Sequence, residues 1–188
     1  MAKTKSLLTA GLRGTVGGTL VFRRVHGETV VSASPEKSSK EPSEQQKSHR
    51  ERFRLASLYA QRVKTNPEIL EEYLFAAVKK GYTNVRSLII ADYFCFPEIL
   101  SINVNTKPAG TELETIVIDY MRVKSVTVSL KAPDGSVLES GDGALGIDQQ
   151  TWTYKVLDSA NLAASVCFEI TATDLPGNVT TKSFDYQA

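Results

Sequence analysis

The feature that most constrains the fold is a change in the spacing of apolar residues close to Pro97. Between Glu44 and Phe96 the apolar residues recur every three to four positions, which predicts amphipathic helices. From Ile99 onward they alternate at every second position, which predicts β-strands. A helical part followed by an all-β part predicts an α+β fold.

The part after Ile99 has the pattern of an immunoglobulin-like β-sandwich. Turn signals rich in Gly, Pro and Asp separate its strand-like segments, and about seven short strands in some 90 residues are typical of this architecture. Cys95 precedes the first strand, so it cannot form the inter-sheet disulfide of antibody domains with Cys167. The predicted strands are 99–104, 113–120, 122–131, 136–140, 150–157, 164–173 and 178–186.

The helical part is predicted to contain two or three helices. A polar segment with two prolines, residues 34–44, reads as a linker before them. Ser43 and Gln46 match a capping box, and Asn66-Pro67 is a typical helix start. The first helix, 44–64, carries a predicted buried stripe of Phe53, Ala56, Tyr59, Ala60 and Val63.

The first 34 residues are predicted to form a glycine-rich β-hairpin. Glycines at 11, 14, 17 and 18 precede apolar alternation on both sides of His26-Gly27, which is a hairpin signal. The predicted domains are therefore 1–34, 35–97 and 98–188. An isolated hairpin is marginally stable in water, so it must pack on the rest of the chain or on another chain. The predicted assembly residues are its apolar ones: Leu20, Phe22, Val25, Val30 and Val31.

The net charge of +1 averages two unlike parts. Residues 1–64 contain 13 Lys and Arg against 5 Asp and Glu, while residues 65–188 contain 9 against 16. A basic arm on an acidic body is able to meet nucleic acid, the acidic surface of a neighbouring copy, or solvent alone, and the sequence leaves these three open. The predicted basic contact face consists of Arg23, Arg24, Lys47, Arg50, Arg54 and Arg62.

The residues give no pattern of a catalytic, metal or cofactor site. The two histidines, His26 and His49, have no nucleophile motif beside them, and the glycines match neither a P-loop nor a dinucleotide fingerprint. We therefore expect a non-enzymatic protein without a cofactor. The acidic loop residues match no EF-hand spacing and are ordinary turn residues: Asp134, Asp142, Asp148 and Asp174.

No apolar run reaches the length of a membrane helix, which requires about 18–20 residues. Arg13 and the glycines interrupt the short apolar stretch that follows Lys3 and Lys5, so we expect no cleavable signal peptide. Synthesis in a cytoplasm is expected, with a virion or an extracellular assembly as the final location.

Two stretches resemble known groups of proteins. GLRGTVGGTLVF (11–22) followed by QQKSHRERFRLA (45–56) resembles the opening of a group of small proteins from Bacteroidota and from phages or prophages, with the Gln-x-x-x-Arg-x-x-Phe theme ending at Phe53. Segments 123–141, 151–154 and 171–178 resemble bacterial Ig-like modules, which recur in surface and virion proteins. The resemblance implies a structural or assembly role.

The sequence thus favours a structural protein that associates with copies of itself or with partner proteins through an unpaired edge of the hairpin. The Ig-like domain would then be displayed on a virion, tube or filament. A nucleic-acid-binding protein that uses the basic N-terminal third is the alternative, and so is a cell-surface interaction protein.

Overall fold

The computed structural model confirms the α+β fold class. The chain divides into two compact units, Met1–Lys47 and Ser48–Ala188, each with its own architecture. The structure describes residues 2–4, 9, 11–36, 40–107, 110–158, 162 and 165–187, with the backbone alone at 2–4 and 107.

The described part of the first unit forms one antiparallel sheet with the strand order β1-β4-β3-β2. The predicted hairpin is β3 with β4, whereas β1 and β2 were not predicted. The strands are β1 (Ala2–Thr4), β2 (Gly14–Val16), β3 (Leu20–Val25) and β4 (Glu28–Ala33).

Two tight turns fix the register of this sheet. Gly17 and Gly18 have φ angles of 60° and 69°, and His26 and Gly27 have φ angles of 49° and 85°. Positive φ at both central residues is the requirement of a type I′ turn, whose twist matches that of the flanking strands. The His26 turn sets Phe22 opposite Val31 across the hairpin.

Three helices follow, as the sequence predicts: α1 (Glu44–Lys64), α2 (Pro67–Lys79) and α3 (Val85–Phe94). Their starts are set by local capping. The amide of Gln46 donates to Ser43 Oγ at 3.3 Å, and the amide of Ser43 donates to Gln46 Oε1 at 3.1 Å. Asn66 and Asn84 accept backbone amides at the starts of α2 and α3.

The C-terminal β-sandwich has two antiparallel sheets within the described residues, with orders β5-β6-β10-β9 and β12-β11-β7-β8. The two-residue strand β9 was not predicted. The strands are β5 (Glu98–Lys107), β6 (Gly110–Ile118), β7 (Val123–Lys131), β8 (Val137–Asp142), β9 (Ala144–Leu145), β10 (Thr151–Lys155), β11 (Val166–Asp174) and β12 (Val179–Tyr186).

Alternating side chains of both sheets form the sandwich core, which includes Leu113, Val128, Trp152, Phe168 and Ile170. A second core lies among the helices, and its buried members are Ala60, Val63, Tyr73, Ala77, Leu88 and Ile89. The predicted stripe of α1 is correct at Ala56, Ala60 and Val63 and wrong at Phe53, which is 47% exposed.

Candidate assembly interface

The register of the first unit's sheet places its apolar residues on two different faces. Directly opposed residues of antiparallel strands point to the same side, and successive residues alternate. Phe22 opposes Val31, and Leu20 opposes both Val16 and Ala33. One side, the apolar face, therefore carries Val16, Leu20, Phe22, Val31 and Ala33.

The opposite side, the mixed face, alternates valines with polar and charged residues. The guanidinium of Arg23 lies 3.5 Å from Ser32 Oγ, as expected for two side chains on one face. Its members are Val21, Arg23, Val25, Glu28, Val30 and Ser32. The five predicted assembly residues are thus divided: Leu20, Phe22 and Val31 belong to the apolar face, whereas Val25 and Val30 belong to the mixed face.

The sheet leaves these apolar side chains open to contact. No hydrophobic residue among residues 11–36 is buried, and the buried side chain in that range is that of Thr29. On the apolar face Val16 is 54% and Leu20 43% exposed. These residues have no hydrophobic core of their own within the described part of the unit.

The backbone edges differ from the expected arrangement. The sequence predicts a two-stranded hairpin with an unpaired edge, but β1 pairs with β4 along residues 29–31, and β2 pairs with β3 along residues 20–22. The physical reason is the Gly17-Gly18 turn, which returns the chain onto β3. Within the described residues, the unpaired backbone edges are therefore the outer edges of the three-residue strands β1 and β2.

The predicted basic contact face does not form one continuous surface. Arg23 and Arg24 are neighbours in β3 and point to opposite sides of the sheet. Lys47 donates to Glu41 at 3.0 Å and to Glu44 at 2.9 Å, and these hydrogen bonds raise the pKa of Lys47.

Of the four predicted cations on α1, Lys47 and Arg54 are ion-paired. Arg54 donates to Glu51 at 2.6 Å, one turn earlier in the same helix, while Arg50 and Arg62 are exposed. Partial neutralisation by neighbouring carboxylates reduces the positive potential that phosphate recognition would need.

A different set of contacts holds the end of α3 against α1. The Arg52 guanidinium lies 4.8 Å from the ring centre of Phe94 and 5.0 Å from that of Phe96. The rings of Tyr59 and Tyr93 lie 5.8 Å apart. Aromatic and cation–ring contacts therefore pack the end of α3 on α1.

The helical core contains a buried polar cluster that was not predicted from the sequence. Asp92 is fully buried, and the Tyr73 hydroxyl donates to its Oδ2. The hydroxyls of Tyr59 and Tyr73 lie 3.2 Å apart. Burial raises the pKa of Asp92 to about 7. The sequence contains one signal of this cluster, because Asp92 follows Leu88 and Ile89 at helical spacing and so lies on their side of α3.

Three of the four predicted loop aspartates hold their own turns. Asp142 instead ends β8, where its Oδ1 accepts the Thr127 hydroxyl at 3.1 Å. Asp134 Oδ1 accepts the Ser136 amide at 2.9 Å, and Asp148 Oδ1 accepts the Thr151 amide at 3.0 Å. Asp174 Oδ1 accepts the amides of Gly177 and Asn178. Among the described residues, no three His, Cys, Asp or Glu side chains are grouped to hold a metal ion.

Within the described part of the chain, no helix combines the length and the apolar content that crossing a bilayer requires.

No family model and no curated protein matches the chain. Among solved structures, it is similar to CopC from Methylosinus trichosporium OB3b, at 10% identity and a TM-score of 0.37, over 47% of this chain and 89% of that one. It is also similar to an engineered protein at 22% identity and a TM-score of 0.34, over 47% of this chain and 19% of that one.

Proposed function

We propose that this chain is a non-enzymatic structural protein that assembles with further copies of itself through the apolar face of its N-terminal sheet. Such a protein fits a virion, tube or filament. The observation that carries the proposal is the apolar row formed by the exposed Val16 and Leu20 and the half-buried Phe22 and Val31, with no buried hydrophobic side chain within residues 11–36.

The energetics favour repeated contacts over a single isolated one. Fully burying one large apolar side chain contributes about 1.5–3 kcal/mol, and the residues of this face are already partly covered. Docking the face would gain about 3–6 kcal/mol, which is similar to the lower part of the cost of association. A contact of this strength is sustained when each copy contributes two or more contacts to a larger assembly.

The experiment compares two matched double variants of β3. Leu20→Ser with Phe22→Ser removes two members of the apolar face, and Val21→Ser with Val25→Ser removes two members of the mixed face. Mass photometry of the full-length protein measures the particle mass, and circular dichroism checks the fold. We expect the wild type and the mixed-face variant to remain oligomeric, and the apolar-face variant to have the mass of one chain.

Two results would contradict the proposal. One is a monomeric wild type at micromolar concentration. The other is a folded Leu20/Phe22 variant that keeps the wild-type mass. Addition of nuclease to the wild type separates protein-only assembly from assembly on nucleic acid, since the latter would lose mass after digestion.

A further inference from the structure

Resting on the proposed self-assembly, we infer that the surface that receives the apolar face is the outer side of α2 on a second copy of this chain. The contact joins two different surfaces of the chain. It closes a dimer if two copies exchange it reciprocally, and it joins copies into a ring or an open filament if it continues head to tail.

The outer side of α2 is unusually apolar for an exposed helix surface. Phe75 is 74% exposed, Val78 is 83% exposed and Leu74 is 48% exposed. The opposite side of the same helix holds the buried residues Tyr73 and Ala77. The helix therefore has a second apolar stripe beyond the one its own core uses, and an amphipathic surface helix needs only one.

Charge complementarity identifies the N-terminal sheet as the occupant of this stripe. Residues 1–47 contain eight Lys and Arg against four Asp and Glu, a net charge of +4. Glu71 is exposed one turn before Phe75, on the same side of α2. On the sheet, the exposed Arg24 follows Phe22 on the same side of β3. Lys79 is exposed one turn after Phe75, so the negative charge on this side of α2 lies at its Glu71 end. The charge beside Phe22 and the charge at the Glu71 end of the Phe75 side are thus opposite.

The spacing of ring and charge also agrees. Two residues of a strand, from Phe22 to Arg24, span about 7 Å. Four residues of a helix, from Phe75 back to Glu71, span about 6 Å along the axis. When the two rings are in contact, Arg24 and Glu71 therefore come within reach of an ion pair.

Helix α1 carries a second exposed apolar pair, Leu55 and Leu58, which are 41% and 46% exposed. Glu51 lies one turn before Leu55 and is paired with Arg54, so the charge beside this pair is largely neutralised. Both side chains are much less exposed than Phe75 and Val78 and offer less apolar area to bury, so the α1 pair provides a matched control.

The first experiment compares the two helices by mass photometry over a range of concentrations. Phe75→Ser with Val78→Ser should raise the concentration of half-assembly by about a hundredfold, since each buried side chain is worth about a factor of ten. Leu55→Ser with Leu58→Ser should leave it unchanged. Retained assembly of a folded Phe75/Val78 variant would overturn the acceptor site.

The second experiment is a charge exchange. Arg24→Glu and Glu71→Arg, each alone, place like charges together and should weaken assembly. The variant with both substitutions restores opposite charges and should recover the wild-type concentration of half-assembly. Failure of this rescue contradicts the pairing, whereas a purely structural effect of either substitution would persist in the double variant.

The experiments distinguish the role of the N-terminal sheet in assembly from the role of α2 as its acceptor. If the Leu20/Phe22 variant dissociates while both the Phe75/Val78 variant and the charge variants stay assembled, the sheet is the assembly surface and α2 is not its acceptor. If none of these variants changes the mass, both are wrong.

Discussion

The most unusual single residue is Asp92, a carboxyl placed in an apolar core. Its Oδ2 accepts the Tyr73 hydroxyl, while Oδ1 is buried with no partner among the described residues. The charged groups around it are Asp119 and Asp174, which raise its pKa, and Lys80, which lowers it. Burial, the largest cause, moves this pKa to about 7, so Asp92 keeps its proton in the folded protein over a range where the unfolded chain has lost it.

We predict that this residue makes stability fall as the pH rises. The unfolded carboxyl titrates near 3.8 and the folded one near 7, so the folded state binds more protons between these values. The stabilisation that protonated Asp92 contributes is fully present below pH 3.8 and is lost as the pH rises through about 7. The free energy of unfolding should therefore fall by about 2–4 kcal/mol from pH 4 to pH 7. Urea unfolding followed by circular dichroism at 222 nm measures it.

Replacing Asp92 by Asn removes the titration and should flatten most of this dependence. Asp119 and Asp174, whose pKa values burial also raises, supply the remaining slope. Glu98→Gln, an exposed position at the start of β5, is the control and should keep the wild-type slope. An Asp92→Asn variant with an unchanged slope would show that Asp92 is already charged in the folded state.

Between elements, the principal connection runs from the β11–β12 turn to the end of α3. The side-chain amide nitrogen of Asn178, Nδ2, donates to the Cys95 carbonyl oxygen at 2.7 Å and to the Tyr93 carbonyl oxygen at 3.2 Å. Asp174 Oδ2, at 2.7 Å, orients the same amide. Arg122 and Glu72 add an ion pair at 2.8 Å between the segment after β6 and α2. The turn thereby joins the helices and the sandwich into one cooperative body.

We predict that Asn178→Ala weakens this coupling. Two carbonyls lose their donor, so the second unit should lose about 1–3 kcal/mol of stability. Trp152 reports the sandwich by fluorescence, and ellipticity at 222 nm reports the helices. In the wild type, the two urea transitions should coincide, whereas in the variant, the helical transition should come first. Asn103→Ala, at an exposed position of β5, is the control. Coincident transitions in the Asn178→Ala variant would argue against the coupling.

The sequence predicts elements well where the signal is local. The caps at Ser43, Asn66 and Asn84 lie beside the helices they start, so all three helices were found. Strands β1 and β2 were missed because their pairing depends on a turn of two glycines and on contacts distant in the chain. The face to which Val25 belongs is a matter of register, which hydrophobicity alone does not define. The partner of Asp92, Tyr73, lies on another helix and has no sequence signature.

At the scale of the whole molecule, the separation of charge has a consequence for how copies meet. The basic N-terminal third of one copy and the acidic remainder of another attract each other before their side chains are in contact. Such steering raises the rate of association more than the final affinity. Salt shortens its range, from about 10 Å at 0.1 M to about 3 Å at 1 M.

The proposed assembly should therefore be slower in salt and still reach a similar size. Raising the ionic strength from about 0.05 M to about 0.5 M should lengthen the half-time of assembly about tenfold, because encounter loses its electrostatic guidance. The final mass should change little, since apolar burial is not screened. Light scattering after a concentration jump measures both. Arg24→Glu with Glu71→Arg keeps the local pair and the net charge but lowers the charges of the two parts from +8 and −7 to +6 and −5, so its half-time should depend less on salt than that of the wild type. A half-time that is independent of salt would mean that the charge separation has no part in assembly.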